Sequence, residues 1–80
     1  MPHFFMHLRD GTDEVLDPDG VEMPAEAVSG YILATARDCM ANDIRSGTVS
    51  LKHRIDVHDE GGHLVHSLAF TDAVSFVRAD

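Results

Sequence analysis

Apolar residues recur at spacings of three and four between Pro24 and Arg45, which places them on one face of a helix: Val28, Ile32, Ala36, Cys39, Met40 and Ile44. Pro24 suits a first helical turn, and Arg45 followed by Gly47 is typical of a helix end. The pattern therefore predicts one amphipathic helix whose apolar face packs on another element. Gly30 falls inside it and marks either a close approach to a strand or partner, or a tolerated glycine.

The segments on both sides of this helix alternate between apolar and polar residues, which is the periodicity of β-strands. Residues 3–9 predict a first strand, and turn chemistry at residues 10–13 leads to a short second strand over residues 14–17. Residues 49–58 and 63–70 predict a second hairpin around a loop at residues 59–62. Pairing His58 with His63 across that loop brings the two apolar faces together, so we predict that register.

Two hairpins around one helix predict the α+β class, as a small ββαββ domain over residues 1–80. Its simplest form is a four-stranded antiparallel sheet with the helix packed on one face. Residues 71–80 form an apolar tail that we expect to dock, with Thr71 or Asp72 capping a short helical turn. The other face of the sheet would be solvated or would meet a second subunit.

Charge and composition exclude several classes of function. The formal net charge of −8 and the scattered six Lys and Arg residues argue against nucleic-acid binding, because phosphates are bound mainly by cationic side chains. No apolar segment precedes Arg9 as in a signal peptide, and no apolar run approaches membrane-spanning length. The single cysteine excludes an intramolecular disulfide. We therefore expect a cytoplasmic protein that binds neither membrane nor nucleic acid.

The residue types that catalysis requires are present only in positions with simpler explanations. Cys39 lies on the apolar stripe of the helix, where burial keeps a thiol inert. The paired acids at residues 17 and 19, and at residues 59 and 60, lie in turn sequences that account for them. No phosphate-binding glycine loop or nucleophile motif is present. We expect no enzymatic activity and no cofactor.

Six histidines raise two further hypotheses. The predicted register places His58 opposite His63, and imidazole groups beside the loop acids suit zinc, nickel or copper. His53 and His66 fall on the apolar face and become diagonal neighbours, as histidines of the core or of an interface. If they are buried and neutral, acidification would disfavour the fold or a dimer.

Four stretches of the chain carry a family resemblance. They are the start at residues 1–11, the helix entry at residues 17–24, the Ile55-Asp56-Val57-His58 strand with its loop, and residues 68–74. Together these stretches resemble a bacterial family of small uncharacterised proteins, the domain of unknown function 6894. The resemblance implies a single domain in the bacterial cytoplasm and transfers no catalytic residues. One departure is His53, where members of the family often have an aromatic residue.

These observations favour a small non-enzymatic binding or interaction module. One helix cannot cover all of the apolar surface, so we expect a homodimer, with an unidentified protein as a further partner. The sheet edge, the open face and the tail are candidate contacts, with Phe5, Val74, Phe76 and Val77 as candidate interaction residues. The alternative is a histidine-based metal-binding protein that uses His58 and His63.

Overall fold

A computed structural model describes residues 1–11 and 13–77 and confirms the α+β fold. The elements in chain order are β1 (His3–Asp10), β2 (Asp13–Val15), β3 (Val21–Glu22), α1 (Val28–Arg45), β4 (His53–His58) and β5 (Leu64–Ala69). The sheet is antiparallel, with the strand order β2-β1-β4-β5 and β3 as a further partner of β1. Two 3₁₀ turns, Ala25–Ala27 and Phe70–Asp72, follow β3 and β5.

The predicted apolar stripe of α1 packs on one face of the sheet. Val28, Ile32, Ala36 and Met40 are buried, and Cys39 is half-buried. Ile44 is exposed, so the stripe continues beyond the part that the sheet covers. The remaining core comes from strands and loops, with Phe4, Met23, Ile55, Val57, Phe70 and Ala73.

The C-terminal end of the helix agrees with the sequence, whereas α1 begins only at Val28, after the 3₁₀ turn Ala25–Ala27 that Pro24 precedes. Gly47 follows the helix with φ +91°, and its N–H donates to the carbonyl of Ile44 at 2.9 Å. A Cβ atom built on Gly30 would meet no atom of the described residues within 4 Å, apart from its own helix and chain neighbours. Gly30 therefore marks no close approach to a strand of the described chain, and its approach to a partner stays a prediction.

The predicted register of the second hairpin is wrong. His58 lies opposite Leu64, and Val57 lies opposite His66, with an irregularity in the pairing between Val57 and His58. The loop is closed by Asp59, whose N–H donates to the His63 carbonyl at 3.0 Å. The error is one residue beside the loop and two residues beyond the irregularity. An extra residue in one strand has this effect, because it advances the pairing of everything that follows.

The tail docks on the domain as far as Val74. After the Phe70–Asp72 turn, Ala73 is buried and Val74 packs against the core. Arg37 holds this segment, because its Nε donates to the Ala73 carbonyl at 2.9 Å. A short 3₁₀ turn lies at the start of this segment, over Phe70–Asp72, and its N-cap is Ala69, without a side-chain hydrogen bond, rather than the predicted Thr71 or Asp72. The last three residues of the predicted tail, 78–80, lie outside the described residues.

Candidate functional site

A buried carboxylate lies on the sheet face opposite the helix. Asp56 is only 4 % exposed, and Ser67 donates from Oγ to its Oδ1 at 2.6 Å. On its other oxygen, Oδ2, Arg54 Nε lies at 3.2 Å and Arg9 Nε at 3.5 Å. These four side chains, the Asp56 cluster, come from three adjacent strands. The alternation of apolar and polar residues along β4 predicted that Asp56 lies on the polar face, but it did not predict that neighbouring side chains bury it.

The hydrogen bonds and charges around Asp56 lower its pKa by more than its burial raises it. Burial by itself would raise the pKa of Asp56. Hydrogen bonds from Ser67 and Arg54, together with the charges of Arg54 and Arg9, nevertheless hold that pKa below the ordinary value of 3.8. The carboxylate is therefore charged at neutral pH, and the open face carries an ionic cluster at its centre rather than an apolar patch.

The lowered pKa of Asp56 predicts an acid-dependent loss of stability. Because the folded state favours the charged form, this stabilisation is present above the unfolded pKa of about 3.9 and is lost as pH falls through the lower folded pKa. We expect Asp56→Asn to lose about 1 to 3 kcal/mol at pH 7, because charged hydrogen bonds are removed. The variant should also show a smaller fall in unfolding free energy than wild type between about pH 5 and 2.

Urea unfolding followed by circular dichroism at each pH measures both effects. Asp38→Asn is the matched control, because Asp38 is an exposed carboxylate on α1. The control should keep the acid response of the wild type. An Asp56→Asn variant with an unchanged acid response would contradict the role given to the cluster.

Two pairs of aromatic rings lie on the open face beside the Asp56 cluster, toward the start of β1. The ring of His7 lies 5.2 Å from that of His58, and the ring of His3 lies 5.1 Å from that of Phe5. Phe5, a predicted interaction residue, is half-buried in this layer. These rings therefore pack on one another across neighbouring positions of β1 and β4.

The two predicted metal ligands, His58 and His63, lie in different surroundings. His58 packs on His7 in the open face, whereas His63 is exposed in the loop with its Nδ1 3.3 Å from Asp59 Oδ1. Among residues 1–11 and 13–77, no group of three or more His, Cys, Asp or Glu side chains could hold a metal ion. A site at His58 and His63 stays a prediction, and the register that motivated it is not formed.

The two histidines predicted for the core also lie apart. His66 is exposed opposite Val57, so the predicted diagonal contact with His53 is wrong. His53 lies opposite Asp10 and is half-buried, with its ring 5.3 Å from that of Phe70 and its Nε2 3.4 Å from Asp10 Oδ2. Only His53 therefore adjoins the core.

Two features of the described residues bear on catalysis, a shallow cavity and the Cys39 thiol. One shallow cavity of about 230 Å³ is lined by polar and charged residues, namely Arg9, Gly11, Asp13, Glu14 and Arg54. Burial raises the pKa of the Cys39 thiol, and the nearby carboxylates of Asp43 and Asp38 raise it further. This thiol is therefore kept in its protonated, weakly nucleophilic form.

The free edge of β1 is closed along its length. β3 pairs with Phe4 and β2 pairs with Leu8, which leaves Met6 between them. A side chain fills this gap, because the Met6 N–H donates to Asp17 Oδ2 at 3.2 Å. The Asp17 N–H in turn donates to His7 Nδ1 at 3.0 Å. A carboxylate thus takes the place of a strand, a role that the turn sequence around Asp17 did not predict.

Hydrogen bonding fixes the charge and conformation of Asp17 as well. Burial would raise its pKa, but N–H groups of Gly20, Met6 and Asp19 hold the pKa below 3.8, with a contribution from His7. The bonds to Asp19 and Gly20 also form the turn that the Pro18-Asp19-Gly20 sequence predicted. The loop is therefore anchored on β1 by the same side chain that closes the edge.

The opposite edge of the sheet, on β5, is open. Among the described residues, β4 is the only strand that pairs with β5. Leu64 is 58 % exposed and Val65 41 % exposed, and β5 contains no Asp, Glu, Lys or Arg. Natural edge strands are commonly protected by charges, proline or short length. The six residues of β5 lack the first two protections and are twice as long as the three of β2.

The tail offers a second exposed apolar segment. Val74, a predicted interaction residue, is half-buried against the core. Phe76 and Val77, predicted with it, are 70 % and 91 % exposed. The exposed apolar surface of the molecule therefore includes β5 and the end of the described tail.

Comparisons with known proteins give a family without an assigned activity. The family model described as Domain of unknown function (DUF6894) matches residues 3–71, which confirms the resemblance seen in the sequence. No curated protein and no solved structure matches the chain. In the part of the chain that the structure describes, no helix has the length and apolar character needed to cross a membrane.

Proposed function

Because the chain belongs to the DUF6894 family of unknown function, we propose from its own surface that it is a non-enzymatic interaction module that self-associates as a homodimer. The observation that carries this proposal is the apolar surface left uncovered after α1 has packed on the sheet. Leu64 and Val65 on β5, and Phe76 and Val77 in the tail, are exposed. A chain of 80 residues buries only part of its apolar surface on folding, and association with a second chain buries more of it.

The charge distribution limits where two copies can meet. The chain has 14 acidic and six basic residues, so copies repel each other at most orientations. The open face carries the Asp56 cluster, whose charges are already paired within one chain. Contact through that face would dehydrate two such clusters, which is costly. The apolar β5 and tail surfaces are the more favourable contacts for a dimer or for another protein partner.

Sedimentation equilibrium of the untagged full chain at pH 7.5 tests the proposal. We expect a concentration-dependent mass that rises from 8.8 kDa toward twice that value. Removal of the residues after Ser75 should preserve the fold, because Ala73 and its bond to Arg37 remain. A chain that stays monomeric at all accessible concentrations would contradict self-association.

The same proposal includes the bacterial cytoplasm as the location of the module, as the sequence and the resemblance predicted. Fractionation of cells that express the native chain is the test of this part. Recovery in the membrane or extracellular fraction would contradict it.

A further inference from the structure

We propose that the outer edge of β5 pairs antiparallel with the same edge of a second copy, so that the two sheets become one continuous sheet. This inference rests on the proposed self-association and assigns its surface. Pairing of exposed strand edges is a common mode of protein association, in which main-chain hydrogen bonds supply much of the affinity. The β5 edge suits it because β5 is a six-residue strand, whereas the outermost strands on the other side of the sheet, β2 and β3, have three and two residues, and Asp17 fills the gap between them.

One observed hydrogen bond shows which N–H and C=O groups of β5 point toward β4 and which point outward. The Met6 N–H points away from β4 and toward Asp17. Residues along an antiparallel strand alternate between hydrogen-bonded and non-hydrogen-bonded pairs, so Val57, opposite Met6, directs its N–H and C=O toward β5. The opposing His66 directs its groups back toward β4.

The same alternation identifies the groups that are free at the edge. Ser67 and Ala69 lie opposite Asp56 and Arg54 in non-hydrogen-bonded pairs, so their N–H and C=O groups point outward. Between Leu64 and His66 the pairing of β5 with β4 is irregular. The part of the β5 edge in which inward and outward groups alternate regularly is therefore residues 66–69. A seam of this length is short, so we expect a weak and reversible dimer.

A second copy of the chain is the occupant that we assign to this edge, because β5 is the one outer strand of the described sheet that contains no Asp or Glu. Each copy carries a formal net charge of −8, yet β5 contains no Asp, Glu, Lys or Arg. Close approach along β5 therefore opposes no like charges at the seam itself. A two-fold axis also makes the contact self-complementary, because each copy supplies the same donors and acceptors to the other. The helices of the two copies would then lie on the same face of the joined sheet.

Ala69→Pro tests the seam with little disturbance of the isolated chain. Ala69 has φ −76°, which proline adopts, and its N–H makes no bond to β4 in the alternation derived above. The proline ring would remove an outward donor and occupy the space of the incoming strand. We expect the dimer dissociation constant to rise at least tenfold. Ala69→Ser, which keeps the N–H, should bind as wild type does.

Sedimentation velocity over a range of concentrations measures these constants, with melting curves taken at monomeric concentration. A wild-type dimer that Ala69→Pro leaves equally tight overturns the β5 seam but leaves self-association standing. A dimer lost only when the residues after Ser75 are removed assigns the contact to the tail and overturns the seam. A wild-type chain that never dimerises overturns both proposals.

Amide hydrogen exchange on the wild-type chain gives a second readout that needs no variant. The Ser67 and Ala69 amides should exchange rapidly in the monomer and more slowly at concentrations where the dimer forms. His66, whose amide faces β4, should be protected in both states. Equal exchange of Ser67 and Ala69 at both concentrations, in a protein that does dimerise, would overturn the inference.

Discussion

Replacing Phe70 with alanine is expected to lower the free energy of unfolding by about 3 to 5 kcal/mol, the usual range for a buried phenylalanine. Phe70 is fully buried, at 0 % exposed, in a 3₁₀ turn that packs against both α1 and β4. Its removal would leave a cavity beneath the helix and would also free the ring of His53. A domain of this size has a total stability of roughly 4 to 12 kcal/mol, so the loss would be a large fraction of it.

The chain contains a matched control for this substitution. Phe76→Ala removes the same side chain from a position that is 70 % exposed, so at monomeric concentration we expect a change within about 0.5 kcal/mol. Urea unfolding at pH 7 measures both variants. If Phe70→Ala does not fold, Phe70→Leu should fold with a loss of about 1 to 2 kcal/mol. Equal effects at residues 70 and 76 would contradict the docking of the turn.

The elements that depend on local periodicity were predictable from the sequence. The three- and four-residue spacing from Val28 to Met40 identified the buried face of α1, and alternation in residues 3–9 identified β1. Turn chemistry at Asp10-Gly11 and at Asp59 to Gly62 located both hairpin loops. Each of these signals is contained within a short stretch of chain, which is why it could be interpreted without the fold.

The register of the second hairpin could not be obtained in the same way. Two apolar strands can be matched in several registers, and the pattern gives no signal for the irregularity beside Val57. The chosen pairing of His58 with His63 satisfied the hydrophobic pattern but assumed an unbroken ladder. Each consequence drawn from it, including the contact between His53 and His66, carried the same error.

The polar features of the surface were missed because each depends on a partner that is distant in sequence, Ser67 and Arg9 for Asp56 and Met6 for Asp17. Asp56 receives its bonds from Ser67 and Arg54 and lies beside Arg9, whereas alternation alone assigns it to a solvated face. Asp17 could be recognised as a turn residue, but its bond to Met6 appears only once β2 and β3 lie on either side of the gap. The asymmetry between the two sheet edges, which supports the β5 seam, therefore became visible only in the fold.

Gly20 lies at the point where the Asp17 loop meets β1. It has φ +69°, a conformation that residues with a Cβ atom rarely adopt. A Cβ atom there would lie 2.6 Å from the Phe4 carbonyl oxygen and 2.5 Å from His3 Nε2. The His3 side chain also donates from Nε2 to the Asp19 carbonyl oxygen at 2.6 Å, so it cannot move without losing this hydrogen bond. The position therefore requires glycine both for its backbone angle and for its space.

Gly20→Ala is accordingly expected to lower the unfolding free energy by about 3 kcal/mol. The positive φ accounts for about 1 to 2 kcal/mol, and displacement of the β1 backbone accounts for the rest. Gly47→Ala separates the two causes, because Gly47 has φ +91° but a Cβ atom there would meet no described neighbour within 4 Å. That control should lose only about 1 to 2 kcal/mol in the same urea experiment. Equal losses at both glycines would mean that β1 and His3 yield without cost, and that the loop closing this sheet edge is not held against the strand.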